Sequence, residues 1–191
     1  MNPSRPGRLE FTFVAGASGA WRIDGVTPVI GESLPDAARL SILEGLVSSH
    51  DATWALRGVT GTQRYTTRAE QTALAERQSP IGRAEATQAA LIPIRKNDAW
   101  WALTQDERRA IFEDRSAHIA RSMPYLPAIA RRLHHGRDLG EPFDFLTWFE
   151  FAPTDAAAFE ELLGQLRATE EWRYVDREVD VRVTREVPAE R

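Results

Sequence analysis

No cysteine occurs in the 191 residues. Disulfides, thiolate metal ligation, iron–sulfur clusters, covalent CxxCH heme attachment and cysteine nucleophiles are therefore excluded together. Any metal must be held by His, carboxylate or Tyr. Histidine is scarce as well: His50, His118, His134 and His135 are the whole set. No apolar run approaches the roughly 20 residues that cross a bilayer as a helix. Met1 to Arg8 holds prolines and arginines and leads into no apolar signal core, so a cytoplasmic location is expected. There is no basic tail, and the formal charge of −4 disfavours a general nucleic-acid role. Gly16-Ala-Ser-Gly lacks the lysine of a phosphate loop, and neither HExxH nor a paired Glu-x-x-His is present.

What is present reads as alternating strands and short helices. Leu9, Phe11 and Phe13 alternate with polar residues, as do Trp21 and Ile23, which predicts two strands. Ser33-Leu-Pro-Asp36 looks like a helix start, and Leu40, Leu43, Leu46 and Val47 follow at helical spacing. Trp54–Val59 is a short strand. Thr67 and Glu70 have capping-box spacing and open a helix to about Gln78. Ser79, Pro80 and Gly82 then break the chain, so residues 1–82 and 83–191 are expected to be two halves. Ala86–Ile94 is extended, with Pro93 suggesting a strand end or an edge.

A third helix is expected from Thr104, boxed by Glu107, to about Ser122, where Pro124 and Pro127 stop it. Strands at Ile129–Leu133 and Phe143–Phe151, a helix from Thr154 or Asp155 to about Glu170, and a strand through Val179, Val181 and Val183 complete the order. The second half thus has βαββαβ order, ferredoxin-like, and the first half is a trimmed relative of it. The fold class is α+β, with the two halves able to join as one sheet or barrel.

Few residues bear chemistry. A lone histidine is a weak ligand signal, and packing His118 beside Ile111, Arg115 and Ser122 is the blander reading. One imidazole can still hold heme iron, because the porphyrin supplies four ligands. Arg131 and Arg132 read either as a basic surface pair or, since Arg131 alternates with Ile129 and Leu133, with Arg131 on their apolar face; a buried arginine stays charged and needs an anion or a carboxylate partner. Thr147 and Phe149 share a face with Phe143, Phe145 and Phe151, as a sheet core or as a cavity wall. Trp100, Trp101 and Lys96 form a cluster suited to packing or to a porphyrin edge and its propionates. His134 and His135 point to opposite sides of a strand and are not expected to share a metal.

Several stretches resemble the chlorite dismutase family in order and spacing. They are Ile92-Pro-Ile-Arg-Lys-Asn-Asp-Ala-Trp-Trp101, Arg115-Ser-Ala-His118, Pro124-Tyr-Leu-Pro, Arg131-Arg-Leu-His-His135 and Asp144-Phe-Leu-Thr-Trp-Phe-Glu150. The resemblance implies that His118 is the proximal heme ligand and that Arg131 is the distal catalytic arginine. It implies a distal pocket of Leu133, Thr147 and Phe149, with Tyr65, Lys96, Trp100 and Trp101 at the heme. It matches Glu171, with Glu170 as the adjacent candidate, to the acid that binds the proximal histidine.

The same resemblance implies two ferredoxin-like halves in a dimeric α+β barrel, and the short first half is similar to that of the compact, homodimeric subfamily. The implied cofactor is heme b. The implied reaction turns chlorite into chloride and dioxygen with formation of the O–O bond. A coproheme decarboxylase-type enzyme and a non-catalytic heme-binding dimer are the alternatives.

Overall fold

The computed structural model describes residues 9–48, 51–61 and 65–186. Met1–Arg8 and His50 lie outside the described residues. The strands are β1 (Glu10–Gly16), β2 (Trp21–Ile30), β3 (Arg39–Glu44), β4 (Trp54–Val59), β5 (Gln88–Lys96), β6 (Ala130–His135), β7 (Phe145–Phe151) and β8 (Val175–Arg185). The helices are α1 (Arg68–Arg77), α2 (Asp98–Ala102), α3 (Gln105–Arg109), α4 (His118–Ser122) and α5 (Ala156–Arg167).

The strands close into one antiparallel barrel in the order β1-β3-β2-β8-β5-β7-β6-β4. Strands β1–β4 and β5–β8 each occupy a contiguous arc, and each arc has the ferredoxin-like spatial order, with its fourth strand beside its first and its third beside its second. The α+β class and the barrel of two such arcs are as the sequence implied.

One expected helix is a strand instead. Leu40, Leu43, Leu46 and Val47 match helical spacing, yet Arg39–Glu44 is β3, hydrogen-bonded between β1 and β2. Leu40 points into the barrel with Ile42, while Leu43, Leu46 and Val47 are exposed. Long-range pairing overrides a weak local helical pattern. Pro93 also departs from expectation, because β5 is central between β7 and β8. The ladder to β8 lapses between Leu91 and Ile94, where proline has no N–H to give.

Side chains alternate between two cores. Phe11, Phe13, Trp21, Leu40, Leu91, Phe143, Trp148 and Val181 fill the barrel. Ala90, Ile92, Ile94, Phe149 and Phe151 face outward and pack under α5. Helix α5 presents Phe159, Leu162, Leu163 and Leu166, an i, i+3, i+4, i+7 stripe. The barrel closes through a narrow seam, with Val59 of β4 paired to His135 of β6. Gly58 permits this approach: a Cβ there would lie 2.6 Å from the His134 Cβ.

The expected third helix is broken. Its first turn, α3, is capped by Thr104 and Glu107, but Ala110–Arg115 is a π-helix and Ala117 is left-handed, with φ 50° and ψ 41°. His118 therefore begins a new short helix, α4. Among the described residues, no helix is long and apolar enough to cross a membrane.

Candidate functional site

Outside the second arc lies a cavity of about 370 Å³, floored by β5, β6 and β7. This is within the range of small-molecule and cofactor pockets. Strand register decides which side chains enter it. Arg131 stands opposite Phe149, Leu133 opposite Thr147, and Thr147 opposite Ile92, and paired residues share a face. All five line the cavity, as do Tyr65, Lys96, Trp100, His118 and Glu171.

His118 sits at the first turn of α4. Its Nδ1 lies 2.7 Å from Oε2 of Glu171. A carboxylate accepts, so Nδ1–H donates and the Nε2 lone pair is left for a ligand. The other carboxylate oxygen of Glu171 accepts from Lys96 Nζ at 2.8 Å. Burial alone would raise the Glu171 pKa, but the Lys96 ammonium and then His118 outweigh it and hold the carboxyl at about 2. Glu170 points elsewhere and pairs with Arg115 at 3.1 Å. The adjacency of two glutamates is thus resolved by the 3₁₀ turn Glu170–Tyr174, which buries only the second.

Lys96 is placed differently from a propionate partner. Its side chain is buried and committed to Glu171, with the ammonium 4.6 Å from the Trp100 ring centroid. Trp101, expected at the heme, is not in the cavity wall. It leans on Phe145, donates Nε1–H to Asp144 at 3.2 Å, and lies between the Arg137 and Arg108 guanidiniums. Neighbours on a helix differ by about 100° in direction, so only one of two adjacent indoles can face the cavity. Phe143 is likewise placed in the barrel interior and Phe151 under α5, while Phe145 joins the wall.

Arg131 carries the unbalanced charge of the site. Among the described residues its guanidinium has no carboxylate partner; only its backbone carbonyl is engaged, by Gln78 Nε2 at 2.6 Å. Burial pulls its pKa down to about 10, which still leaves it cationic at neutral pH. His135 shares the cavity face, whereas His134 turns into the barrel against Phe11 and Phe13.

Two buried donors in this wall have no partner among the described residues: the Tyr65 hydroxyl and Trp100 Nε1. Their rings touch edge-on, with centroids 5.9 Å apart. Buried polar groups left unpaired are costly, so this pair fits an acceptor-bearing ligand. Among the described residues no group of three or more His, Cys, Asp or Glu side chains could cage a metal ion. One free imidazole nitrogen, an apolar slot and two unsatisfied donors suit a flat macrocycle with acidic arms.

Sequence reasoning passed over Gln78, Phe112 and Trp172. Gln78 gave no signal beyond the helix end before Ser79-Pro80. Phe112 was hidden by helical spacing, which puts Ile111 and Arg115 near His118; the π-helix puts Phe112 there instead, with ring centroids 4.5 Å apart. Trp172 also lies near-parallel to the imidazole, at 6.5 Å between centroids, and donates Nε1–H to Glu178 at 2.7 Å.

Comparison with known proteins bears on the fold and the family. A chlorite dismutase family model matches residues 36–187. The crystal structure of a dimeric chlorite dismutase from Nitrobacter winogradskyi is 61% identical, with TM-score 0.87 over 92% of this chain and 99% of that one. A mutant chlorite dismutase from Candidatus Nitrospira defluvii shares the fold at 18% identity, with TM-score 0.62 over 92% of this chain and 91% of that one. A curated chlorite dismutase from Ideonella dechloratans is 34% identical over 86 residues, which span 45% of this chain but 28% of that relative. On the family match and the likeness to the Nitrobacter protein, this chain belongs to the chlorite dismutase family.

Proposed function

We propose that this chain is a heme b enzyme that converts chlorite to chloride and dioxygen, with His118 as the iron ligand and Arg131 as the catalytic residue. The observation that carries the reading is that a free imidazole nitrogen and an unpaired guanidinium line the same largely apolar cavity. The similar Nitrobacter protein is a dimer, and we place this chain in a homodimer as well.

The residues divide the work. Glu171, held ionised by Lys96, draws the Nδ1 proton of His118 and makes Nε2 the stronger donor. Lys96 thus acts on the histidine side. Trp100 and Tyr65 would donate to the heme propionates and satisfy their buried hydrogens. A bound heme supplies the oxygen-transfer chemistry between chlorite and the new O–O bond.

Arg131 holds the anion throughout. Its fixed charge binds chlorite and then retains hypochlorite, and it need not change protonation. Leu133, Thr147 and Phe149 border it, and exclusion of water by their apolar groups strengthens the attraction. Chlorite becomes chloride and dioxygen with no net proton, so no general acid or base is needed.

The test is an optical spectrum with heme b, followed by chlorite addition at an oxygen electrode. A five-coordinate high-spin spectrum and one dioxygen per chlorite are expected. Heme uptake with no oxygen would leave a non-catalytic heme binder.

The unpaired Tyr65 hydroxyl also gives a second reading some footing, since a coproheme decarboxylase works with a tyrosine beside a propionate. Loss of carboxyl mass from coproheme on peroxide addition would select it. The uncompensated Arg131 favours an anionic substrate and hence the first reading.

A further inference from the structure

The eight residues before His118 contain two departures from helical geometry. Ala110–Arg115 is a π-helix. Ala117, which has a Cβ, is left-handed, a conformation that L-residues avoid on steric grounds. Single wide turns of this kind occur often at functional sites. In a regular helix, a residue six positions before His118 would lie about 240° around the axis. Here that residue, Phe112, lies on the His118 ring with 23° between the planes.

The next residue of the wide turn reaches back as well. Glu113 accepts from Ile119 N at 2.7 Å and from Ala120 N at 3.2 Å, which ties down the start of α4. Ser116 Oγ accepts from Glu171 N at 3.0 Å. One irregular segment thus touches the imidazole face, the helix that carries the imidazole, and the acid that binds it.

We propose that Phe112 and Glu113 are positioning residues for His118, and that the π-helix and left-handed Ala117 serve to bring them there. Phe112 fixes the plane of the ring. Glu113 fixes the backbone from which the ring springs. With Nδ1 tied to Glu171, the direction of Nε2 is then set before any ligand arrives. This deepens the proposed heme reading and rests on it, since the direction of Nε2 matters only if something binds there.

The test begins without heme. Labelled histidine in the apo chain reports the motional order of the His118 ring by NMR relaxation, with thermal melting as control. Phe112→Leu should lower that order, with the ring's ps–ns motion increasing while the surrounding backbone stays rigid. Phe112→Tyr should restore it. Glu113→Ala should loosen the ring and Glu113→Gln should recover part of the loss. In the heme-loaded protein, Phe112→Leu should fill normally but release heme about tenfold faster, with a broadened high-spin EPR signal.

Unchanged ring order in Phe112→Leu and Glu113→Ala would overturn the inference. So would lost order with unchanged heme release, or losses that follow melting temperature alone and are not rescued by tyrosine. If the parent chain takes up no heme, the proposed function fails, while ring order still decides whether the two residues hold His118.

Discussion

The two arcs of the barrel have the same strand order, yet the cavity that holds His118 and Arg131 lies against the second. The first arc buries mainly one face: Phe13, Ala15 and Leu40 point inward, while on the outer face Thr12 is covered by the turn at residues 45–47 but Leu43 and Ala55 remain exposed, beyond the reach of α5. The second arc buries both faces, Leu91 and Trp148 inside, Ile92 and Phe149 outside beneath α5. A sheet covered on both sides has an outer layer that can be opened locally into a pocket. The difference lies in the connections. The first arc joins its strands by loops, whereas α2–α4 and α5 cross over the second and bring His118 with them.

Removing the histidine tests the pocket most severely. His118→Ala should abolish stable heme uptake, seen as loss of the Soret band on titration; an unchanged spectrum would remove His118 from the site.

Stability should separate the arcs next. Phe159→Ala, which empties the outer layer of the second arc, should cost about 3–5 kcal/mol in urea unfolding. Leu43→Ala, on the bare face of the first arc, should stay within about 0.5 kcal/mol. Comparable losses at both would contradict a one-sided first arc.

Two arginines on outward faces give a functional version. Arg131→Ala should keep heme but lower turnover about 10²–10³-fold, release trappable hypochlorite and bleach itself. Arg57 on β4, already paired with Glu141 at 2.6 Å, should be replaceable by alanine with little change in oxygen yield.

The interior that both arcs share gives an effect confined to acid pH. His134 is buried, and desolvation depresses its pKa from 6.5 to about 4, against a hydrogen bond to the Leu146 carbonyl. Between those values the unfolded chain binds the extra proton. Stability is therefore whole above about pH 6.5 and falls as the pH drops toward 4, by on the order of 3 kcal/mol. His134→Met should flatten that slope in urea titrations at pH 7 and pH 4.5.

Local rules were legible where local chemistry decides. The Thr67–Glu70 and Thr104–Glu107 boxes cap helices where their spacing placed them. Strand parity put Arg131 with Leu133 and separated His134 from His135, because successive strand residues face opposite ways. The expected helix at Leu40–Val47 failed because a three- and four-residue spacing of leucines is also met by chance in a strand and the loop after it. The choice there was made by β1 and β2, residues distant in sequence. Phe112 was missed because the direction of a helical side chain is known only if the helix is regular, and Trp101 because a regular helix turns two adjacent indoles about 100° apart.

The sequence by itself determined the α+β class, the order of most elements, and the residue types able to do chemistry without a thiol. Those follow from composition and from periods of 2 and 3.6 residues, which act over a few neighbours. Only the tertiary structure decided that Glu171 rather than Glu170 accepts the histidine hydrogen bond, that Lys96 belongs to that acid, and that Arg131 has no acid of its own among the described residues. Each of those depends on which charges meet across tens of residues once the barrel closes and water leaves.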